Sequence, residues 1–290
     1  MNTKHSHFLP VLVCGLLHAG AVFGTPIPDD CKTGGFAIGC QTWTFNRFTV
    51  MDAIDRTSHA GGKVIEFQTH QVLSPQQPTV IFDYHSPDSV LAQVQAYLKT
   101  RGLRAVSYGV VDIPNNVEAA RPIFEFAKKM GLYCICTEST GSIDTIEKLV
   151  KEYDIKVGFH DHPRRPSDPS YRMWDPNYIL SVVKDRDPRI GATADTGHWV
   201  RSGLVPVNCL KILHGRIISV HLKDLNEFSL AAHDVPYGTG VSDVPGILDE
   251  LKRQNFDGNI SVEYEYDWLA NVVDAAQCIG FVRGYGARKD

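Results

Sequence analysis

Four short motifs punctuate the second half of this 290-residue chain: HDH at His160 to His162, DTGH at Asp195 to His198, HLKD at His221 to Asp224 and EYE at Glu263 to Glu265. Each directly follows a β-branched or aliphatic run, namely Lys156 to Phe159, Arg189 to Ala194, Ile217 to Val220 and Asn259 to Val262. One polar group at the carboxyl end of a buried strand is an isolated event. Four in succession describe parallel strands that aim their functional groups at a common mouth. The steps from His160 to Asp195, to His221 and to Glu263 are 35, 26 and 42 residues. A strand, a loop, a helix and a return loop consume about that much chain.

The same alternation runs through the rest of the sequence. Strand candidates are Phe36 to Gln41, Lys63 to Phe67, Arg104 to Tyr108, Tyr133 to Thr137, Lys156 to His160, Arg189 to Asp195, Ile217 to His221 and Asn259 to Glu263. Helical candidates lie around Thr49 to Ala60, Pro87 to Arg101, Asn116 to Lys129, Ser142 to Glu152, Pro176 to Lys184, Pro206 to His214, Pro245 to Gln254 and Leu269 to Tyr285. Val90, Val94, Tyr97 and Leu98 share a helical face, as do Ile146, Leu149, Val150 and Tyr153. Gly61, Gly62, Gly102 and Gly131 follow helical runs, where a left-handed cap wants glycine, while Pro176 and Pro245 suit first-turn positions. Eight strands alternating with eight helices predict an α/β fold, a single-domain (β/α)8 TIM barrel over residues 25–290. An open doubly wound sheet is the runner-up, but no glycine-rich phosphate loop follows the first strand. The longest loops, Gln68 to His85, Asp161 to Asp175 and Leu222 to Val244, fall after strand candidates two, five and seven, on the expected catalytic face.

Residues 1–24 read as a secretory signal peptide: Lys4, then the apolar stretch Phe8 to Phe23, then small residues ending at Gly24. The stretch is too short and too interrupted to span a bilayer, so the expectation is an exported protein, periplasmic or secreted, with no stable membrane insertion. Export permits disulfides, and Cys31 with Cys40 is the pair to test; Cys134 and Cys136 sit two apart on one strand face and read as core. The formal charge of −4, with no basic run, argues against nucleic acid as a partner.

At the predicted mouth, His160, Asp195, His221 and Glu263 supply two imidazoles and two carboxylates, a mixed nitrogen and oxygen set for a divalent metal ion. Mn(II) is the first choice; Zn(II), Co(II), Fe(II) and Mg(II) stay open. A lone Asp at a strand end is often only a helix cap, and a lone His is often structural. His198 reaches the same mouth as a substrate ligand or proton carrier, and His162 can return a proton. Lys223 either stabilises an oxyanion or is a solvated loop lysine. Glu138 is a candidate base or extra ligand, Glu66 reads better as a structural carboxylate, and Glu265 ranks behind Glu263. Trp43 and Trp199 are stacking candidates for a sugar face, or core.

IEF at Glu66, HDH, DTGH followed by RSG, ISVHLKD, VPYGTG at Val235 to Gly240, and SVEYE resemble the xylose-isomerase-like TIM-barrel superfamily, often labelled sugar phosphate isomerase/epimerase, in an exported member. The likeness covers nearly all of the chain after the leader and specifies the superfamily more sharply than the reaction. Ketose 3-epimerases, inosose dehydratases, exported enzymes that cleave 3-keto-glycosides and endonuclease IV type repair enzymes are similar proteins. In the ketose epimerases the metal is held by Glu, Asp, His and Glu from strands five to eight; Asp195, His221 and Glu263 match, and His160 stands where those enzymes carry Glu. The resemblance implies a metal-dependent isomerase or epimerase acting on a ketose-type carbohydrate through an enediolate. A lyase on 3-keto-glycosides is the alternative, ahead of a phosphodiesterase or a non-catalytic sugar-binding barrel. The expected partner is a small carbohydrate, with a homo-oligomer left open.

Overall fold

The computed structural model describes residues 26–287, so the expected leader lies outside the described residues. Eight parallel strands close into a barrel: β1 (Ala37–Gln41), β2 (Val64–Phe67), β3 (Arg104–Tyr108), β4 (Cys134–Thr137), β5 (Lys156–His160), β6 (Ile190–Asp195), β7 (Ile217–Leu222) and β8 (Asn259–Val262). Each strand pairs with its neighbours in sequence, and β1 closes on β8 through Ala37 with Asn259 and Cys40 with Val262. The helices are α1 (Val50–His59), α2 (Asp88–Thr100), α3 (Val117–Met130), α4 (Ile143–Tyr153), α5 (Pro176–Val183), α6 (Thr196–Arg201), α7 (Pro206–Ile212), α8 (Val244–Arg253) and α9 (Val272–Gly286).

The strands are buried almost throughout because helices cover one face and the barrel interior fills the other. Local chemistry sets where elements end. Thr49 and Asp52 form a reciprocal capping box at the start of α1, Asn116 caps α3, and Gly131 takes a left-handed φ of 67° to stop α3. The barrel axis carries a polar layer: the Cys136 thiol contacts Glu66 and Thr193, Thr193 meets Ser219 at 2.7 Å, and Ser261 donates to Glu66 at 2.6 Å. Those residues come from β2, β4, β6, β7 and β8, so the layer ties opposite walls together.

Three features differ from the sequence expectation. α6 adds a ninth helix among the described residues. The long loop after β2 contains an antiparallel hairpin, Gln71–Ser74 with Gln77–Phe82, and the loop after β7 contains a short ladder, Asp224–Leu225 with Asp234–Val235. Cys31 and Cys40 are free thiols, and burial pushes that of Cys40 up to about 12. Cys134 and Cys136 are buried, as expected of core positions, and no described helix is long and apolar enough to cross a membrane.

Candidate metal centre

Strand register positions the site. Asp195 lies directly across from His221 on β6 and β7, and His221 across from Ser261 on β8, which puts Glu263 one residue past the pairing at the β8 end. His160 ends β5 beside β6. One ligand atom each from His160, Asp195, His221 and Glu263 fall within 4.8 Å of one another, all four residues buried.

Hydrogen-bond logic fixes how these groups face. His221 Nε2 lies 3.0 Å from Glu66 Oε1; a carboxylate only accepts, so Nε2 carries a proton and donates it. The remaining nitrogen, Nδ1, turns toward His160 Nε2 at 3.1 Å, Glu263 Oε2 at 3.2 Å and Asp195 Oδ2 at 3.9 Å. Asp195 Oδ2 is buried, 3.6 Å from His160 Nε2, and its closest cationic neighbour is the Lys223 ammonium at 2.9 Å. Lone pairs gathered in this way repel unless a proton or a cation stands between them. Burial disfavours a charged His221, yet Glu66 and Glu263 outweigh it and hold its pKa well above the ordinary imidazole range. A divalent ion fits the same gap, and two imidazole nitrogens with two carboxylate oxygens are a competent donor set for it.

Asp195 does two things at once. Its Oδ1 caps α6 by accepting from the His198 amide at 2.8 Å, while Oδ2 faces the cluster. The cap thus leaves the oxygen that faces the cluster uncommitted to the helix.

Glu66 is the orienting carboxylate behind His221. Its Oε2 accepts from Ser261 and Asn259, and although burial raises its pKa, His221, Ser261 and Cys136 together bring it below the ordinary value. Such a partner fixes the tautomer of a ligating imidazole. Glu66→Gln is expected to weaken divalent-metal affinity about 10- to 100-fold, measured by calorimetric titration of metal-stripped protein. Unchanged affinity would mean that His221 is oriented by something else.

Lys223 sits where neither of its sequence readings placed it. Its ammonium is fully buried, 2.9 Å from Asp195 Oδ2, 2.8 Å from Glu263 Oε2 and 2.9 Å from Glu265 Oε2. It is thus neither a solvated loop lysine nor a group on the cavity wall. Burial opposes its charge, but Asp195, Glu263 and Glu265 prevail and raise its pKa well above the usual range. Gly197 of the DTGH motif makes room for it: a Cβ there would lie 2.7 Å from Lys223 Cβ and Cδ.

A cavity of about 310 Å³ opens over the cluster, walled by His160, His162, His198, Glu263 and Glu265. His198 Nδ1 accepts from Arg201 at 3.2 Å, because a guanidinium only donates, so its proton sits on Nε2. Burial and the nearby Lys223 outweigh Asp195 and keep this imidazole neutral, its pKa well below the ordinary value. His162 Nδ1 is hydrogen-bonded to Glu138, which also accepts from Tyr171. Glu138 itself is not on the cavity wall: burial raises its pKa, His160 and His162 pull it far below, and it stands behind both imidazoles, hydrogen-bonded to His162 and 3.8 Å from His160 Nδ1. Trp43 lies at the mouth, 42% exposed, with Nε1 donating to Glu265 at 3.1 Å, whereas Trp199 is core. Gln41 and Gln68, at the ends of β1 and β2, also line the cavity. Both escaped the sequence reading, although the strand-end rule that singled out the later motifs applies equally to them.

The family model of the xylose isomerase-like TIM barrel matches residues 54–283, and the chain belongs to that family. An inosose dehydratase of Clostridium tetani is 29% identical over 147 residues, 43% of this chain and 45% of that protein, so the chain spans less than half the length of this curated relative. A solved protein of Parabacteroides distasonis is 32% identical with a TM-score of 0.68, over 86% of this chain and 98% of that one. A D-allulose 3-epimerase from Methylomonas sp. shares the fold at 17% identity and a TM-score of 0.63, over 86% and 97% of the two chains.

Proposed function

We propose that this xylose isomerase-like barrel is a metal-dependent isomerase or epimerase of a ketose-type carbohydrate, working by proton abstraction next to the sugar carbonyl through an enediolate. The observation that carries the reading is the convergence of His160, Asp195, His221 and Glu263 beneath a cavity of about 310 Å³. Those four residues would hold the divalent ion, Mn(II) in first place, and a bound ion supplies Lewis-acid polarisation of a carbonyl oxygen.

The chain's own groups divide the remaining work. Glu263 lines the cavity and takes the proton from the carbon next to the carbonyl. His162 returns a proton, its Nδ1 tied to Glu138 so that Nε2 is the nitrogen left for exchange. His198, neutral with its proton on Nε2, donates to a substrate oxygen. The oxyanion role expected of Lys223 does not follow from its placement; it balances the charge of Asp195, Glu263 and Glu265 instead.

A second reading, a lyase on 3-keto-glycosides, draws support from the same wall. Of the two carboxylates on the cavity wall, Glu265 is engaged by Arg201 and Lys223, which leaves Glu263 with a histidine held by Glu138, a base with an acid rather than two matched bases. That pairing suits removal of a proton followed by loss of a β-substituent. The dehydratase among the relatives carries out a loss of water by name.

Ketoses and 3-keto-glycosides incubated with the Mn(II)-loaded protein in deuterium oxide test both readings. The expected result is an isomer or epimer carrying deuterium at the carbon next to the carbonyl, or an unsaturated elimination product that has lost that carbon's proton. The absence both of deuterium at every carbon and of an elimination product from every substrate would rule out the enediolate.

A further inference from the structure

Beside the cavity over the cluster lies a second compartment of about 730 Å³, more than twice the volume of the first, which shares with it the walls of Trp43, Gln68, Thr69 and His70. Trp43 and Trp268 meet edge to face on its wall, with centroids 6.3 Å apart and an interplanar angle of 84°. Two perpendicular indoles, one pinned to the site carboxylate Glu265, form a fixed aromatic corner of the kind that packs against a ring.

The polar groups of the outer compartment are also short of partners. Gln71 uses its amide nitrogen to satisfy the backbone carbonyls of Phe45 and Phe48, at 3.2 and 2.9 Å, which fixes the amide's orientation. Its Oε1 is then a buried acceptor with no hydrogen bond, and Asn46 Oδ1 is another. Both residues line the compartment, and Arg47 stands exposed there. Unpaired buried acceptors are costly, and hydroxyl donors relieve them.

We propose that the outer compartment is a second binding subsite for a ring attached to the reacting sugar, so that the substrate is a glycoside or disaccharide rather than a free monosaccharide. The proposal rests on the carbohydrate reading of the inner site and extends it. A monosaccharide held at the cluster leaves the larger compartment empty, while a glycosidic substituent passing Trp43 meets the indole corner, with the side chains of Asn46 and Gln71 beside it.

The test is a binding measurement on the metal-loaded protein by tryptophan fluorescence and calorimetry. The probes are glucose, galactose and 3-ketoglucose, each beside its β-phenyl glycoside and its β-1,4-glucosylated disaccharide. At least one two-ring probe is expected to bind about tenfold more tightly than its parent sugar, and Trp268→Ala should bring that ratio close to one. Arg47→Ala, on the exposed rim, supplies the same readout should the tryptophan variant not fold. Equal affinity within every set, a ratio untouched by both variants, or no binding by any probe would overturn the proposal. Binding is read without turnover, so this result stands or falls separately from deuterium exchange at the inner site.

Discussion

Replacing Lys223 with Met is expected to destabilise the protein in chelator by about 3–5 kcal/mol, the usual cost of removing one partner from a buried charge pair. The reason is local. Asp195, Glu263 and Glu265 all direct an oxygen at the Lys223 ammonium within 2.9 Å, and Asp195 and Lys223 are fully buried. Met preserves most of the side-chain volume, so lost packing contributes little and the lost charge dominates. A divalent ion held by Asp195 and Glu263 brings two positive charges to the same carboxylates, so saturating Mn(II) should return most of the deficit. Denaturant unfolding of wild type and variant, each with chelator and with Mn(II), gives the four stabilities required. If the variant is equally destabilised under both conditions, the ion does not bind among these carboxylates. If it is not destabilised at all, the lysine does not compensate them.

His162→Gln is expected to lower turnover about 10²- to 10⁴-fold, the usual contribution of a positioned acid or base, with metal stoichiometry unchanged. The imidazole lines the cavity and its Nδ1 is committed to Glu138, leaving only Nε2 for proton exchange. Gln keeps a polar side chain of similar reach but cannot carry a proton in and out. Glu138→Gln should reproduce part of the loss, since the hydrogen bond to Nδ1 that orients the ring and leaves Nε2 toward the cavity is weakened. Turnover of the His162 variant within threefold of wild type would remove it from the mechanism. Metal analysis of the same samples separates that outcome from a damaged ligand cluster.

The barrel was legible because its strands are short, β-branched apolar runs that end in polar residues and alternate with longer amphipathic stretches, so length and flanks decide where period alone does not. Every expected strand appears, with ends shifted by one residue at most. α6 was not legible, since six residues are too few to show a period and its cap, Asp195, looks like a strand-end ligand. The hairpin after β2 hid behind Pro75, Pro78 and a run of glutamines, and its outer strand is mostly solvent-facing, so it lacks the apolar signature of a buried strand.

Within the site, residue types were readable but partners were not. Glu138 was legible as a carboxylate near the mouth; only three dimensions show that His162 and Tyr171 claim it. Lys223 carried a usable signal, because it lies two residues beyond His221 and an extended chain places both on one face. A lysine is so seldom fully buried that the solvated reading stood beside the inward one. Glu66 was correctly weighted toward structure, yet its contact with His221 Nε2 gives that structural carboxylate a hand in the metal centre.

The doubled duty of Asp195 bears on how such a barrel can diverge. One oxygen reaches the His198 amide to start α6 while the other faces the ligand cluster, so a replacement at 195 has two geometries to meet at once. His160 begins no helix; its Nδ1 faces Glu138 Oε1, at 3.8 Å. A lineage that exchanges the donor at position 160 therefore has one carboxylate contact to reset, while position 195 also has a helix to begin.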